Sequence, residues 1–142
     1  MHYLQFCPLA KASELLCEKW TLLIIRELLM GGKRFNDFQR GMASISPTML
    51  TKRLNELTEN GLIVRKKIPG QRGYEYFLSE SGKELAPIIQ QIGEWGMRWT
   101  RSQLPDSELD IELLMLYLER SINPEHLPGD STILSFNFTD QN

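Results

Sequence analysis

The sequence predicts a mainly α-helical fold carrying one small β-hairpin (α+β), and three observations predict it. Apolar residues recur at steps of three and four through most of residues 9–100, the period of helices with one buried stripe. One segment breaks that period. Residues 63–68 and 74–78 are rich in β-branched and aromatic side chains, and Pro69-Gly70 and Gly73 punctuate the gap between them as in a hairpin. Positive charge gathers in the same region: residues 33–83 hold ten lysines and arginines against five acids, in a 142-residue chain of net charge −2.

The totals set outer limits. A chain of this length suggests one domain, here 1–102, with an appendage, 103–142, that holds eight acids and a single base. The 42% hydrophobic and 24% charged residues fit a globular protein. No apolar run approaches the roughly 18 residues of a membrane span, and residues 1–16 lack the basic flank and apolar block of a secretory signal. The expectation is a cytoplasmic protein without membrane contact. Cys7 and Cys17, with His2 and His126 far apart, supply too few ligands at the wrong spacing for zinc, so no metal or cofactor is expected. No nucleophile–base pair, carboxylate pair or phosphate loop points to an enzyme, and PGQRG is too short to cradle a phosphate.

Taken in order, residues 9–17 read as a short amphipathic helix with Leu9, Ala12, Leu15 and Leu16 inward. Residues 20–30, WTLLIIRELLM, are apolar on nearly every side except Arg26 and Glu27 and predict the central buried helix, ended by Gly31-Gly32. Lys33 and Arg34 lead into a third helix, 35–41, with Phe35 and Phe38 inward. Residues 42–45 then turn the chain into the helix 46–60. Ser46 can cap its first turn, Pro47 suits its first position, and Asn60-Gly61 suits the left-handed turn that ends it. Leu50, Leu54 and Leu57 form its buried stripe. The hairpin follows directly, with Lys66, Lys67 and Arg72 at its tip.

Two helices joined by a tight turn, then a hairpin, is the order of a winged helix-turn-helix. In that reading the outer face of the 46–60 helix, with Thr48, Thr51, Lys52 and Asn55, faces the base edges of double-stranded DNA. Lys33, Arg34, Ser46, Arg53 and the 66–73 wing, with Lys66, Lys67 and Arg72, face phosphates. The plainer alternatives are a solvated charged face and a hairpin whose lysines only protect an edge.

Residues 79–100 predict one long helix. Ser79 is its cap, Ser81-x-x-Glu84 a possible capping box, and Pro87 bends it near residues 83–87. Leu85, Ile88, Ile89, Ile92, Trp95, Gly96 and Trp99 make a continuous apolar seam. It packs either on its own domain or on its twin, and the prevalence of two-fold dimers on two-fold operators favours the twin. Residues 102–109 read as a linker. Residues 110–122 read as a helix with Ile111, Leu114, Met115 and Leu118 on its inner face, stopped by Pro124. Residues 128–130 form a turn, and 132–139 alternate as a half-buried strand (Leu134, Phe136 and Phe138 inward) that needs a partner strand.

These residues resemble the HxlR family of bacterial winged helix-turn-helix regulators. The likeness runs from Cys7-Pro8 through Lys19-Trp20-Thr21, Arg26-Glu27-Leu28, Arg34-Phe35 with Asp37-Phe38, and Ile45-Ser46-Pro47. It continues through Leu50-Thr51 with Arg53-Leu54, Gly61-Leu62-Ile63, Tyr76 with Leu78, and Gly82, to Glu94-Trp95-Gly96. The resemblance implies a homodimer built from the first and last helices, bound to an inverted-repeat operator and usually repressing. Cys7 matches the position through which several members sense oxidants or electrophiles, so an oxidant or small-molecule effector is a further implication. The alternative is a structural thiol at Cys7, with Cys17 read as packing. A third reading, from the fold alone, is a protein-interaction module without a DNA role. More faintly, residues 113–140 resemble the opening helix and first strand of a sterol-carrier-protein-like domain, with too little of it to hold a lipid pocket.

Overall fold

The segment that is apolar on nearly every side becomes the innermost helix. The computed structural model describes residues 3–4, 6–100, 110–129 and 131–137. Helix α2 (Thr21–Leu29) carries Ile24 and Ile25, both fully buried. Around it lie α1 (Pro8–Leu16), α3 (Phe35–Gly41) and α4 (Pro47–Glu59), then the antiparallel strands β1 (Ile63–Lys67) and β2 (Tyr74–Leu78). Helices α5 (Glu80–Lys83), α6 (Ala86–Trp99) and α7 (Ile111–Ser121) follow, with a 3-10 turn at Pro124–His126.

The core is built where the stripes of these elements meet. Leu50, Leu54 and Leu57 of α4 are sealed against Ile24, Ile25, Phe38, Met42 and Ile45. Each such leucine contributes about 1.5–3 kcal/mol relative to an exposed one. Phe38 meets Tyr76 of β2 edge to face, with ring centroids 5.9 Å apart. Strands β1 and β2 pair in register from Ile63 opposite Leu78 to Lys67 opposite Tyr74. The turn before α3 joins them: Tyr76 N–H donates to Lys33 O at 2.8 Å, and Arg34 bridges Glu75. The wing is thereby hydrogen-bonded to the helix-turn-helix rather than only following it in sequence.

The predicted ends of α4 are found in the structure. Ser46 Oγ accepts from Met49 N–H, Pro47 opens the helix, and Gly61 takes φ 72° after the Asn60 cap. Leu62 N–H reaches back to Leu57 O and Gly61 N–H to Thr58 O, the paired bonds of a glycine-terminated helix. At α3 the Asp37 carboxylate accepts from the N–H groups of Lys33 and Arg34 at 2.9 and 2.8 Å.

Several expectations are corrected. The single bent helix over 79–100 is two helices, α5 and α6, separated within the predicted bend. Ser79 caps α5 through Gly82 N–H, but Ser81 forms no capping box with Glu84; its hydroxyl donates to Gly61 O, and the Ser79 hydroxyl to Gly61 O and Leu62 O. Gly82 lies so close to Leu62 O that a Cβ would collide with it, so α5 is pinned to the start of β1 and cannot run straight into α6. In α1, Leu9 is exposed, and Leu15 and Leu16 are what pack on the core. Cys17, read as packing, is exposed. Helix α7 is rotated from its expected face: Leu116 is its buried residue and Arg120 points inward, while Ile111, Met115 and Leu118 are only half-buried and Leu114 is exposed. Residues 131–137 form no strand, and Ile133, Leu134 and Phe136 are exposed; the last two residues of the predicted strand and the predicted linker lie outside the described residues.

Candidate nucleic-acid interface

Helix α4 offers one polar face to solvent. Thr48, Thr51, Lys52 and Asn55 are all exposed and line one shallow concavity with Pro47. The Thr51 hydroxyl donates to Pro47 O at 2.9 Å, which leaves its oxygen lone pairs as acceptors. Lys52 Nζ stands 3.9 Å from Glu56, a loose surface pair of small energetic weight that is readily exchanged for a phosphate or base. Ser46 uses its oxygen as the helix cap and keeps its own O–H to donate.

Arg53 is the main correction at this face. It was expected to reach phosphate, yet its side chain is only 7% exposed. Its guanidinium is fully engaged: Nε donates to Lys19 O at 2.9 Å, Nη2 to Glu18 at 2.9 Å, and Nη1 to Glu56. Arg53 therefore ties α4 to the turn between α1 and α2. That turn is strained, since Trp20 sits at φ 78°, a left-handed conformation that costs a non-glycine residue of order 1–3 kcal/mol. The Arg53 bonds to the two residues before Trp20 help to hold it. Sequence patterning could not separate this arginine from a phosphate ligand, because its position on the edge of the helix suits both.

The wing carries the remaining cations. Lys33 and Lys66 stand 5.6 and 5.1 Å from the centroid of the same ring, Phe77, so the α2–α3 turn and β1 present their charges together. Arg34 stays half exposed while reaching Glu75 at 3.4 Å. Lys67 and Arg72 are exposed beside the glycine-rich tip, where Gly70 and Gly73 take positive φ. Arg65, not singled out from the sequence, joins them, stacked 4.7 Å from the Tyr74 ring. Across the described residues, α4 and the wing thus carry their polar and cationic side chains outward from one shared core.

The seam of α6 divides into two parts. Leu85 is buried in the chain's own core and Ile89 packs against it, so these two are corrected from seam to core. Ile88, Ile92, Trp95 and Trp99 stand 48–67% exposed, and a Cβ on Gly96 would meet only the Thr100 hydroxyl. Cys7 is the N-cap residue of α1, half-buried, with Pro8 in the first turn.

A buried helical core that presents one polar helix beside a cationic hairpin defines a winged helix-turn-helix protein. Residues 15–104 match the HxlR-like helix-turn-helix family, and the chain belongs to that family, a family of DNA-binding transcriptional regulators rather than enzymes. It is 36% identical over 101 residues to the HTH-type transcriptional regulator YvaP of Bacillus subtilis, covering 70% of this chain and 94% of that one. Among solved structures it resembles the redox regulator HypR in its reduced form, with TM-score 0.63 and 33% identity over 68% of this chain and 97% of HypR. It also resembles the reduced form of the transcriptional regulator YodB from B. subtilis, with TM-score 0.58 and 31% identity over 69% and 98% of the two chains. The likeness of the tail to a sterol-carrier-like domain is not supported: the family match ends at residue 104, and residues 131–137 form no strand. Among the described residues, no helix is long and apolar enough to cross a membrane.

Proposed function

We propose that the chain is a homodimeric, sequence-specific repressor that reads an inverted-repeat operator with α4 and clamps it with the wing. The observation that carries this reading is the exposed polar face of α4 together with the exposed cations of the α2–α3 turn and the wing, Lys33 and Lys66, which share the Phe77 ring. Thr48, Thr51, Lys52 and Asn55 read base edges, while Lys33, Arg34, Ser46, Lys66, Lys67 and Arg72 hold phosphates. The uncovered apolar face of α6 supports a two-fold dimer, which would place two copies of α4 about one helical turn of DNA apart. Repression follows the habit of the resembling family.

Selection of bound DNA from a random pool tests the reading. The expected result is an enriched inverted repeat; no enrichment at low salt would favour a protein-interaction module instead. On the enriched site, Arg72→Ala should flatten the log–log salt dependence by about one unit without changing the preferred sequence. Lys52→Ala should change preference at particular base pairs by about 1–3 kcal/mol, and a uniform weakening would move Lys52 to the phosphate set.

A second reading has one observation in its favour. HypR is a redox regulator, and here Cys7 is a half-buried free thiol at a helix end rather than a sealed one. If the chain senses oxidants through it, hypochlorite or a quinone will alter operator affinity in the wild type and not in Cys7→Ser. Equal responses would remove Cys7 from the mechanism.

A further inference from the structure

Under the helix-turn-helix a carboxylate is sealed in. Glu27 of α2 is 0% exposed, and neither of its oxygens accepts a hydrogen bond from any described residue. Two glycines make room for it. A Cβ on Gly32 would come within 2.8 Å of Oε1, and one on Gly41 would overlap Oε2. The balancing charge comes from beyond the region that matches the family: Nη1 of Arg120, on α7, stands 2.6 Å from Glu27 Oε1. Nη1 makes no directed hydrogen bond either, so the contact is an ionic one. Beside it, Tyr117 of α7 stacks 5.4 Å from the Arg26 guanidinium, and Arg26 Nη2 donates to Gly41 O at 3.3 Å.

We propose that α7 is a positioning element of the reading head, in which Arg120 neutralises Glu27 and thereby fixes both DNA-facing elements. The proposal rests on the DNA-binding reading above. Gly41 is the last residue of α3, five residues before the cap of α4, so its place sets the turn that aims α4. Gly32 precedes Lys33, whose carbonyl holds β2, so its place sets the root of the wing. Glu27 lies against both. A carboxylate in such a site is tolerated only while it is paired. Without Arg120 it is left as an unpaired buried charge, and swinging out toward water displaces the glycine backbones that it now rests on. Arg120 is thus a positioning residue, acting on DNA through Glu27 without touching it.

The test uses the full chain with Arg120→Met, Arg120→Lys and the double variant Glu27→Gln/Arg120→Met. Urea unfolding gives stability. Affinity for the DNA enriched from the random pool is measured where each variant is folded by circular dichroism. Arg120→Met should lower the folding equilibrium constant by roughly a hundredfold or more, the usual result of stranding a buried charge. The DNA affinity of the folded Arg120→Met protein should fall by roughly tenfold. Arg120→Lys, which keeps the charge, should lie between Arg120→Met and wild type. The double variant, neutral at both positions, should return to within about threefold of wild type in both measurements. Equal damage in Arg120→Met and the double variant would reduce the contact to packing and overturn the proposal. A destabilised Arg120→Met protein with wild-type affinity would overturn the positioning role. A wild-type chain that enriches no DNA would overturn the function and this role together, and the urea coupling between Glu27 and Arg120 would then stand alone.

Discussion

Helices α4 and α6 are built on the same plan and meet opposite fates. Each repeats apolar residues at steps of three and four over 13 or 14 residues, with a proline in its first turn. In α4 the stripe of Leu50, Leu54 and Leu57 is sealed by the chain's own core, and polar groups face out. In α6 only the first turn is sealed, by Leu85 and Ile89, and the stripe then runs on into solvent as Ile92, Trp95 and Trp99. Periodicity states that a stripe exists. What covers it depends on how many other stripes the same chain can bring to it. The stripe of α4 shares one core cluster with residues of α2, α3 and β1, whereas α6 outruns the domain that supports it.

The largest expected effect separates these two fates. Leu54→Ala should destabilise the fold by about 2–5 kcal/mol in urea unfolding, since it empties a fully buried site. Trp95→Ala removes a larger side chain from α6, yet at low protein concentration it should leave unfolding almost unchanged and instead lower the sedimenting mass from dimer to monomer. If Trp95→Ala destabilised the dilute protein as much as Leu54→Ala does, the two helices would have the same fate and the dimer seam would fall.

Neighbouring residues on α4 sharpen the contrast between what completes the fold and what is left to meet DNA. Arg53→Met should cost about 1.5–3 kcal/mol of stability, because it breaks charge-assisted bonds to Glu18, Glu56 and Lys19 O made by a guanidinium that is itself buried. Arg53→Lys should recover little of it, since one ammonium cannot serve partners arranged for a planar fork. Lys52→Met, one residue away and exposed, should stay within about 0.5 kcal/mol of wild type. Thermal unfolding of the three variants checks this, and a harmless Arg53→Met would return Arg53 to the phosphate set.

The legibility of the sequence follows the same division. The caps and stripe of α4, the hairpin and its basic tip were readable because each depends on residues close together in sequence, such as Ser46-Pro47 or Pro69-Gly70. The role of Arg53 was not, because two of its three partners, Lys19 and Glu18, lie 34 and 35 residues away. The inward face of α7 was misread for a related reason. Its apolar residues are spread around the helix, and the deciding contact is a charged one, Arg120 with Glu27, which hydrophobic period does not report. Glu27 itself carried a faint signal: an acid inside the most apolar helix, with Gly32 and Gly41 following at positions that need no glycine for their turn. Splitting of the 79–100 helix goes with the close approach of Gly82 to Leu62 O, which is visible only once the two segments are adjacent in space.

The smallest expected effect tests whether the self-completed half is also closed at its helix ends. Helix α4 is capped by a hydroxyl, Ser46, and α3 by a carboxylate, Asp37. Burial raises the affinity of the Asp37 carboxyl for its proton, but the N–H groups of Lys33 and Arg34 and the charges of Arg120 and Arg40 outweigh burial and hold its pKa below the ordinary aspartate value. A folded pKa below the unfolded one means stability that is fully present above the unfolded value and lost as pH falls through the folded one. Asp37→Asn should therefore cost about 0.5–2 kcal/mol near neutral pH, toward the low end because the group is only partly shielded from water. The gap between wild type and Asp37→Asn should hold steady down to about pH 4 and close below it. Ser46→Ala, which removes a cap that does not titrate, should show a gap of similar size across the whole range. A gap for Asp37→Asn that stayed constant to about pH 2 would show that the shape of the side chain, not its charge, holds the start of α3.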